Sequence, residues 1–89
     1  MPARWTQAAA LRQAEARFPV RYRMTVPPRG FGRRLDALHA WLGERLGRDG
    51  YALHPAPLLG ADAVHLYLPD IATLTDFRTW WGTLDIIQN

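Results

Sequence analysis

The sequence contains no cysteine, no lysine and no serine, and these three absences exclude several kinds of chemistry. Without cysteine the chain forms no disulfides and no thiolate zinc sites. It also lacks the residues for a seryl or cysteinyl nucleophile, a Schiff-base lysine or a phosphate-binding loop of the G-x-x-x-x-G-K-[ST] type. The eight acidic residues are scattered, with no base and nucleophile at a recognisable spacing. We therefore predict a protein that is not an enzyme, with no catalytic residues and no cofactor.

Long apolar runs are absent as well, since no stretch approaches the roughly 20 residues needed to cross a bilayer. Arg4, Arg12 and Arg17 interrupt the N-terminal segment, where a secretory signal would be apolar. A length of 89 residues with 48% hydrophobic and 21% charged residues is typical of one small globular domain. We expect a single domain over residues 1–89, located in the cytoplasm and without a membrane partner.

The eleven arginines are distributed unevenly along the chain. Residues 1–34 hold eight of them and one acidic residue, a net charge of +7, whereas residues 35–89 carry −4. Arginine contacts to phosphate supply much of non-specific nucleic-acid affinity, so the basic half indicates nucleic acid or an acidic protein surface as a partner. In a domain this small, however, charges distant in sequence come within a Debye length of about 10 Å, so the two halves could instead neutralise each other.

The local pattern predicts six elements of secondary structure. Helices are expected over residues 6–17, 31–47 and 70–82, and strands over residues 18–26, 51–56 and 63–68. Thr6 is the predicted N-cap of the first helix and Asp70 that of the last. The first helix has only alanines and Leu11 on its apolar face, so we expect residues 1–17 to form a loosely docked N-terminal helix.

The order α-β-α-β-β-α predicts a small α+β fold. Its expected architecture is a single-layer three-stranded sheet with helices mainly on one face, a truncated ferredoxin-like or split β-α-β arrangement. Pairing the last two strands with Ala56 opposite Ala63 places His54 opposite His65. In that register His54, His65 and Tyr67 lie on the face away from the predicted core, which we expect to be open.

Two candidate sites for anions follow from this layout. Arginine, histidine and tyrosine on an open sheet are the residue types with which sheet-based RNA-binding domains grip phosphates and stack bases. Further arginines surround Gly30 and Gly32, next to a helix N-terminus that attracts anions. The residues of this nucleic-acid or anion interpretation are Arg21, Arg23, Arg29, Arg33, Arg34, His54 and His65. Two facing imidazoles without a third ligand do not predict a metal site.

The four tryptophans indicate another kind of surface. A helical wheel places Arg34, Trp41 and Arg45 along one flank of the second helix. In the third helix Trp80 lies at the edge of the apolar stripe, whose members are Ile71, Leu74, Phe77, Trp81 and Leu84. Tryptophan and arginine are enriched at protein interfaces, although peripheral core packing would also explain both tryptophans. We predict a small protein-binding adaptor or inhibitor that docks on a larger protein or protein complex, a phage-type or mobile-element inhibitor being one instance. The predicted contact residues are Arg34, Trp41, Arg45, Trp80 and Tyr67. A nucleic-acid-binding protein is the alternative, and a homodimer is a further prediction because the two halves are complementary in charge.

Overall fold

The computed structural model describes residues 3–56 and 62–88, with side chains for residues 9–56 and 62–84. Three helices and three strands follow one another in the predicted order: α1 (Ala3–Arg17), β1 (Val20–Thr25), α2 (Arg33–Leu46), β2 (Ala52–Pro55), β3 (Ala63–Leu68) and α3 (Ile71–Gln88). The small α+β fold expected from the sequence is confirmed. No helix in this described part of the chain has the length and apolar character needed to span a membrane.

The three strands form an antiparallel sheet in the order β1-β3-β2. β3 lies in the middle and pairs with both neighbours, so β1 and β2 run parallel to each other on either side of it and α2 connects them. The predicted hairpin register is confirmed, with Ala52 opposite Tyr67 and His54 opposite His65. Beyond the strand end, the Ala56 N–H donates to the Ala63 carbonyl at 2.7 Å in the same register.

One face of the sheet carries the main hydrophobic core, covered by α2 and α3. The buried residues of this cluster come from four elements: Val20, Met24, Leu38, Leu42, Leu66, Leu68 and Phe77. Alternation along β1 and β3 places their even-numbered side chains on this face, as expected for half-buried strands. Half-buried aromatic side chains pack around the cluster, among them Trp41, Trp80 and Trp81.

The opposite face is partly covered by α1, which corrects the expectation of an open face. Ala14 and Phe18 bury Tyr67, whose side chain is only 2% exposed. The small side chain of Ala14 lets the helix approach the sheet closely enough for the tyrosine ring to fill the space between them. Leu11 and Ala52 pack at the edge of this second cluster.

The predicted start of the first helix and the predicted end of the last helix need correction. α1 begins at Ala3, so Thr6 lies inside the helix instead of capping it, because the residues before it are compatible with helix. α3 continues through Gly82 to Gln88, since one glycine costs a helix only about 1 kcal/mol and does not end it. The predicted cap of α3 is confirmed, because the Thr73 N–H donates to Asp70 Oδ1 at 2.7 Å. Hydrogen bonds from the Thr73 side chain and backbone also lower the pKa of Asp70.

Two apolar residues lie outside the stripes assigned to them. Ile71 was expected on the core face of the last helix but is 64% exposed. It is the first residue of α3, and helical side chains lean toward the N-terminus, which carries this one past the end of the helix. Phe18 was expected to alternate with the strand that follows, but β1 starts only at Val20. The Phe18 N–H still donates to the Ala14 carbonyl in the last turn of α1, so the ring turns to the α1 side.

The entrance to α2 depends on two glycines in the left-handed region. Gly30 and Gly32 have φ angles of 77° and 59°, and Gly32 is the N-cap without a side-chain capping bond. Because residues with a Cβ avoid this region, the two glycines allow the chain to turn from Pro27 and Pro28 into the helix. The helix begins at Arg33, two residues later than the pattern predicted.

Candidate functional site

Two tryptophans from different helices stack on each other at the rim of the main core. Trp41 of α2 and Trp80 of α3 have ring centroids 5.0 Å apart and planes inclined by 14°. Phe77 lies beneath them, fully buried, with its centroid 5.9 Å from Trp41 and 6.0 Å from Trp80. Both indoles are half-buried, so each exposes part of its ring to solvent while the rest is held by the core.

Arginines lie over two of the tryptophan rings in this region, Trp41 and Trp81. The Arg45 guanidinium carbon lies 4.2 Å from the centroid of Trp41, and that of Arg34 lies 5.6 Å from Trp81. Such cation–π contacts contribute about 0.5–1 kcal/mol at exposed positions. They also hold a flexible arginine side chain in one orientation over a flat ring. We call the set Arg34, Trp41, Arg45, Trp80 and Trp81 the tryptophan–arginine surface.

The structure brings together four of the five residues predicted to contact a protein. Arg34, Trp41, Arg45 and Trp80 all belong to the tryptophan–arginine surface. Arg34 contacts Trp81, whereas the wheel had grouped it with Trp41. Tyr67 does not join them, because it lies on the opposite face of the sheet and is buried beneath α1. Its predicted place on an exposed docking surface is therefore corrected.

Trp81 and Phe31 are members of this region that the sequence pattern did not assign to the surface. The Phe31 ring meets Trp81 edge-on, with centroids 5.6 Å apart, and Trp81 stacks on Phe77 at 5.5 Å. The wheel had placed Trp81 inside the core stripe, but the indole is only half-buried. A useful signal was the Trp80-Trp81 pair itself, because two adjacent helix residues are about 100° apart and cannot both point to the centre of the core, although both pack against Phe77.

The α1 side of the sheet carries an open groove of about 460 Å³. It is bounded by α1 and crosses all three strands. Its lining residues are Leu11, Glu15, Arg21, Arg23, Pro55, Ala56, His65 and Tyr67. We call this concavity the sheet-face groove. Arg21 Nη1 lies 4.0 Å from Glu15 Oε2, an ion pair within the basic half of the chain.

The two facing histidines sit next to this groove. The ring centroids of His54 and His65 lie 5.8 and 6.2 Å from that of Tyr67, both nearly edge-on. Partial burial, followed by the positive charges of Arg21 and Arg23, lowers the pKa of His65 and favours its neutral form. Within residues 3–56 and 62–88 no three histidine or acidic side chains come together in a way that could hold a metal ion.

The predicted anion residues fall into separate places. Arg21, Arg23 and His65 line the sheet-face groove. Arg29 and Arg33 are exposed at the entrance to α2, and Arg34 beside them lies against Trp81. His54 lies against a second concavity, of about 180 Å³, near the end of α1. The seven residues therefore do not form one continuous site.

Comparisons of the chain with protein-family models, with curated proteins and with solved structures give no match. The functional inference therefore depends on the geometry of the tryptophan–arginine surface and the sheet-face groove.

Proposed function

We propose that this chain is a cytoplasmic protein-binding module, an adaptor or inhibitor that docks on a larger protein through the tryptophan–arginine surface. The observation that supports this proposal most strongly is the Trp41–Trp80 stack, half-buried and covered by Arg45 at 4.2 Å. Tryptophan, tyrosine and arginine are enriched among the residues whose truncation costs an interface about 2 kcal/mol or more.

Rigidity gives this surface a second advantage as a docking site. Binding is weakened by the entropy lost when mobile side chains are ordered, about 0.5–1.5 kcal/mol for each rotamer-rich side chain. Here Phe77 supports the indoles from below, and the Trp41 ring restrains the Arg45 guanidinium. A partner that covers the stack would remove apolar ring surface from water without ordering these groups anew. Its complementary surface would be apolar at the centre and acidic opposite Arg45.

The test compares proteins that co-purify with three versions of the tagged chain: the unaltered protein, Arg45→Glu and Arg12→Glu. Arg45 is exposed and lies outside the buried cluster, so its substitution should leave the fold intact. Arg12→Glu is the matched control because it makes the same charge change on α1. We expect a partner whose recovery falls at least about tenfold with Arg45→Glu and is unchanged with Arg12→Glu. If no recovered protein discriminates between the two variants, the proposal is wrong.

Nucleic-acid binding is the second candidate, and it is favoured by Arg21 and Arg23 in the sheet-face groove. An open groove with two guanidiniums could accept a phosphate backbone. Base stacking has less support there, because Tyr67, the tyrosine that lines the groove, is 2% exposed and offers no free ring. The arrangement therefore suits non-specific contact with a polyanion better than recognition of individual bases.

Fluorescence anisotropy with labelled single- and double-stranded oligonucleotides at about 50 mM salt tests this second candidate. Under it, affinity should fall steeply as salt is raised, and Arg21→Ala with Arg23→Ala should reduce both affinity and salt slope. Arg29→Ala with Arg33→Ala asks separately whether the α2 entrance takes part. Absence of binding by the unaltered chain at this low salt would reject the nucleic-acid interpretation.

A further inference from the structure

The hydrogen-bond pattern shows which backbone groups of the sheet point outward. Residues directly opposite in an antiparallel pair alternate between those that exchange hydrogen bonds and those that do not. The Val26 N–H donates to the Asp62 carbonyl at 2.9 Å, which fixes Tyr22 and Met24 as bonded positions toward β3. The amide and carbonyl groups of Arg21, Arg23 and Thr25 therefore point away from β3, along the free edge of the sheet.

The other edge of the sheet is blunted by a proline. The bond between Ala56 and Ala63 fixes Ala52 and His54 as the bonded positions of β2, so Leu53 and Pro55 point outward. Pro55 has no amide hydrogen, and a proline on an edge strand is a common protection against unwanted pairing. β1 has no proline within Val20–Thr25 and offers three outward N–H groups, one on every second residue. In the described part of the chain, no backbone hydrogen bond involves these three groups.

Charge decides what can pair with this edge. Arg21 and Arg23 are exposed, and Glu15 partly offsets the charge of Arg21. A second copy of β1 could pair antiparallel with the first about a twofold axis at Tyr22 or Arg23. Either register places arginine opposite arginine, which is destabilising. A strand with acidic residues at those positions would instead form favourable cross-strand pairs.

We infer that the edge of β1 binds an extended acidic segment of another protein by strand addition. Residues of the bound segment opposite Arg21 and Arg23 share their face of the sheet and are acidic. The residues between them lie on the face of Val20, Tyr22 and Met24, where apolar side chains fit because Tyr22 is half-buried against the main core. The expected ligand therefore alternates acidic and apolar residues. Main-chain hydrogen bonds supply affinity and alternate side chains supply specificity, as in other cases of strand addition.

This edge is formed by β1, whereas the tryptophan–arginine surface is formed by α2 and α3, so neither proposal depends on the other. A chain that uses both could connect two partners. Failure at one place leaves the other testable with its own variants.

The experiment uses a fluorescein-labelled peptide of alternating glutamate and valine, matched to the six residues of β1. In antiparallel pairing the glutamates opposite Arg21 and Arg23 direct their N–H groups toward β1, and the valines direct theirs outward. N-methylation of the glutamates should therefore weaken binding about tenfold or more, whereas N-methylation of the valines should have little effect. Equal affinity of the two methylated peptides would show that the backbone is not paired and would overturn the inference.

Variants of the protein provide an independent measurement. Arg23→Ala keeps the outward N–H and removes the charge, so binding should weaken several-fold; Arg23→Pro removes both and should abolish it. Arg23→Pro could also prevent β1 from folding, so amide exchange of the unaltered chain is measured in parallel. Added peptide should slow amide exchange at Arg21, Arg23 and Thr25. Arg12→Glu is the charge control. If exchange at these amides slows at high protein concentration without peptide, the edge binds a second copy of the chain. If an oligonucleotide displaces the peptide while exchange at these amides stays unchanged, the ligand is nucleic acid. Either result would overturn the inference.

Discussion

The two faces of the sheet are covered by different means. On one face, which we call the aromatic face, α2 and α3 contribute fully buried leucines and Phe77, surrounded by tryptophans. On the other, α1 contributes Ala14 and Leu11 around a single tyrosine. Because stabilisation scales with the apolar area removed from water, most of the folding free energy lies on the aromatic face. The α1 face has less to lose, and it is also where the groove and the arginines of β1 lie.

The difference indicates that the aromatic face stabilises the fold, whereas the α1 face can open without unfolding the rest. Elements with few buried apolar contacts open locally at lower free energy than the core does. α1 is such an element, and its release would expose Tyr67 and enlarge the sheet-face groove. The four predictions that follow test this contrast, from the largest expected effect to the smallest.

Phe77→Ala attacks the aromatic face at its centre. The ring is fully buried and contacts Tyr22, Trp41, Trp80 and Trp81. Its removal should lower the free energy of unfolding by about 3–5 kcal/mol, a large part of the total for a small domain. Urea denaturation measures the loss. Phe31→Ala is the control, because Phe31 is half-buried and should cost clearly less; equal losses would contradict the central role of Phe77.

Ala14→Glu attacks the α1 face at its closest contact. Ala14 is 4% exposed, so a carboxylate there would be forced against Phe18 and Tyr67. Burial of an unpaired carboxylate is more costly than burial of a neutral polar group, so α1 should be released from the sheet while the rest of the fold persists. Amide exchange should then lose protection in α1 and keep it at Leu66. Ala16→Glu, at an exposed position of the same helix, should leave protection unchanged. Equal loss of protection in β3 would show that the two faces do not unfold separately.

Gly82→Ala should stabilise α3, the long helix that covers part of the aromatic face. An added Cβ meets nothing within 4 Å, and alanine is preferred to glycine in a helix by about 0.5–1 kcal/mol. Thermal unfolding should therefore show a higher Tm. Gly50→Ala is the contrasting substitution, because its Cβ would collide with the Leu46 carbonyl oxygen and should lower Tm. A lower Tm for Gly82→Ala would contradict the continuation of α3 beyond this glycine.

Acid should weaken the α1 face slightly through His65. Burial and the charges of Arg21 and Arg23 lower the pKa of His65 from its ordinary 6.5, so the unfolded chain takes up the proton first as pH falls. The contribution of this group to stability is therefore complete above pH 6.5 and lost as pH falls through the lowered pKa. His65→Gln should flatten this part of the curve of Tm against pH, and Arg23→Gln should flatten it partly. A curve unchanged by His65→Gln would exclude the effect.

Much of the fold follows from patterns that are local in sequence. The alternation in β1 and β3, the stripe from Leu38 to Leu42 and the Asp70 cap each depend on neighbours a few residues away. The hairpin register was accessible for the same reason, since a slip by one residue would have turned Leu66 and Leu68 out of the core.

The candidate surfaces were predicted less completely. The sequence placed Trp41 and Trp80 at the edges of their own helices, but their 5.0 Å stack depends on how α2 and α3 lie together on the sheet. Periodicity reports which way a side chain points from its element, and it carries no information about the distance to another element.

The sequence by itself determined the α+β class, the element order and which residues of β2 and β3 face each other, because these depend on propensity and on the period of the apolar residues. Only the tertiary structure decided that α1 covers Tyr67, that β1 lies at an open edge and that Arg34 contacts Trp81. Those facts depend on packing between elements distant in sequence. An alanine-rich helix carries too weak an apolar stripe to indicate where it will dock.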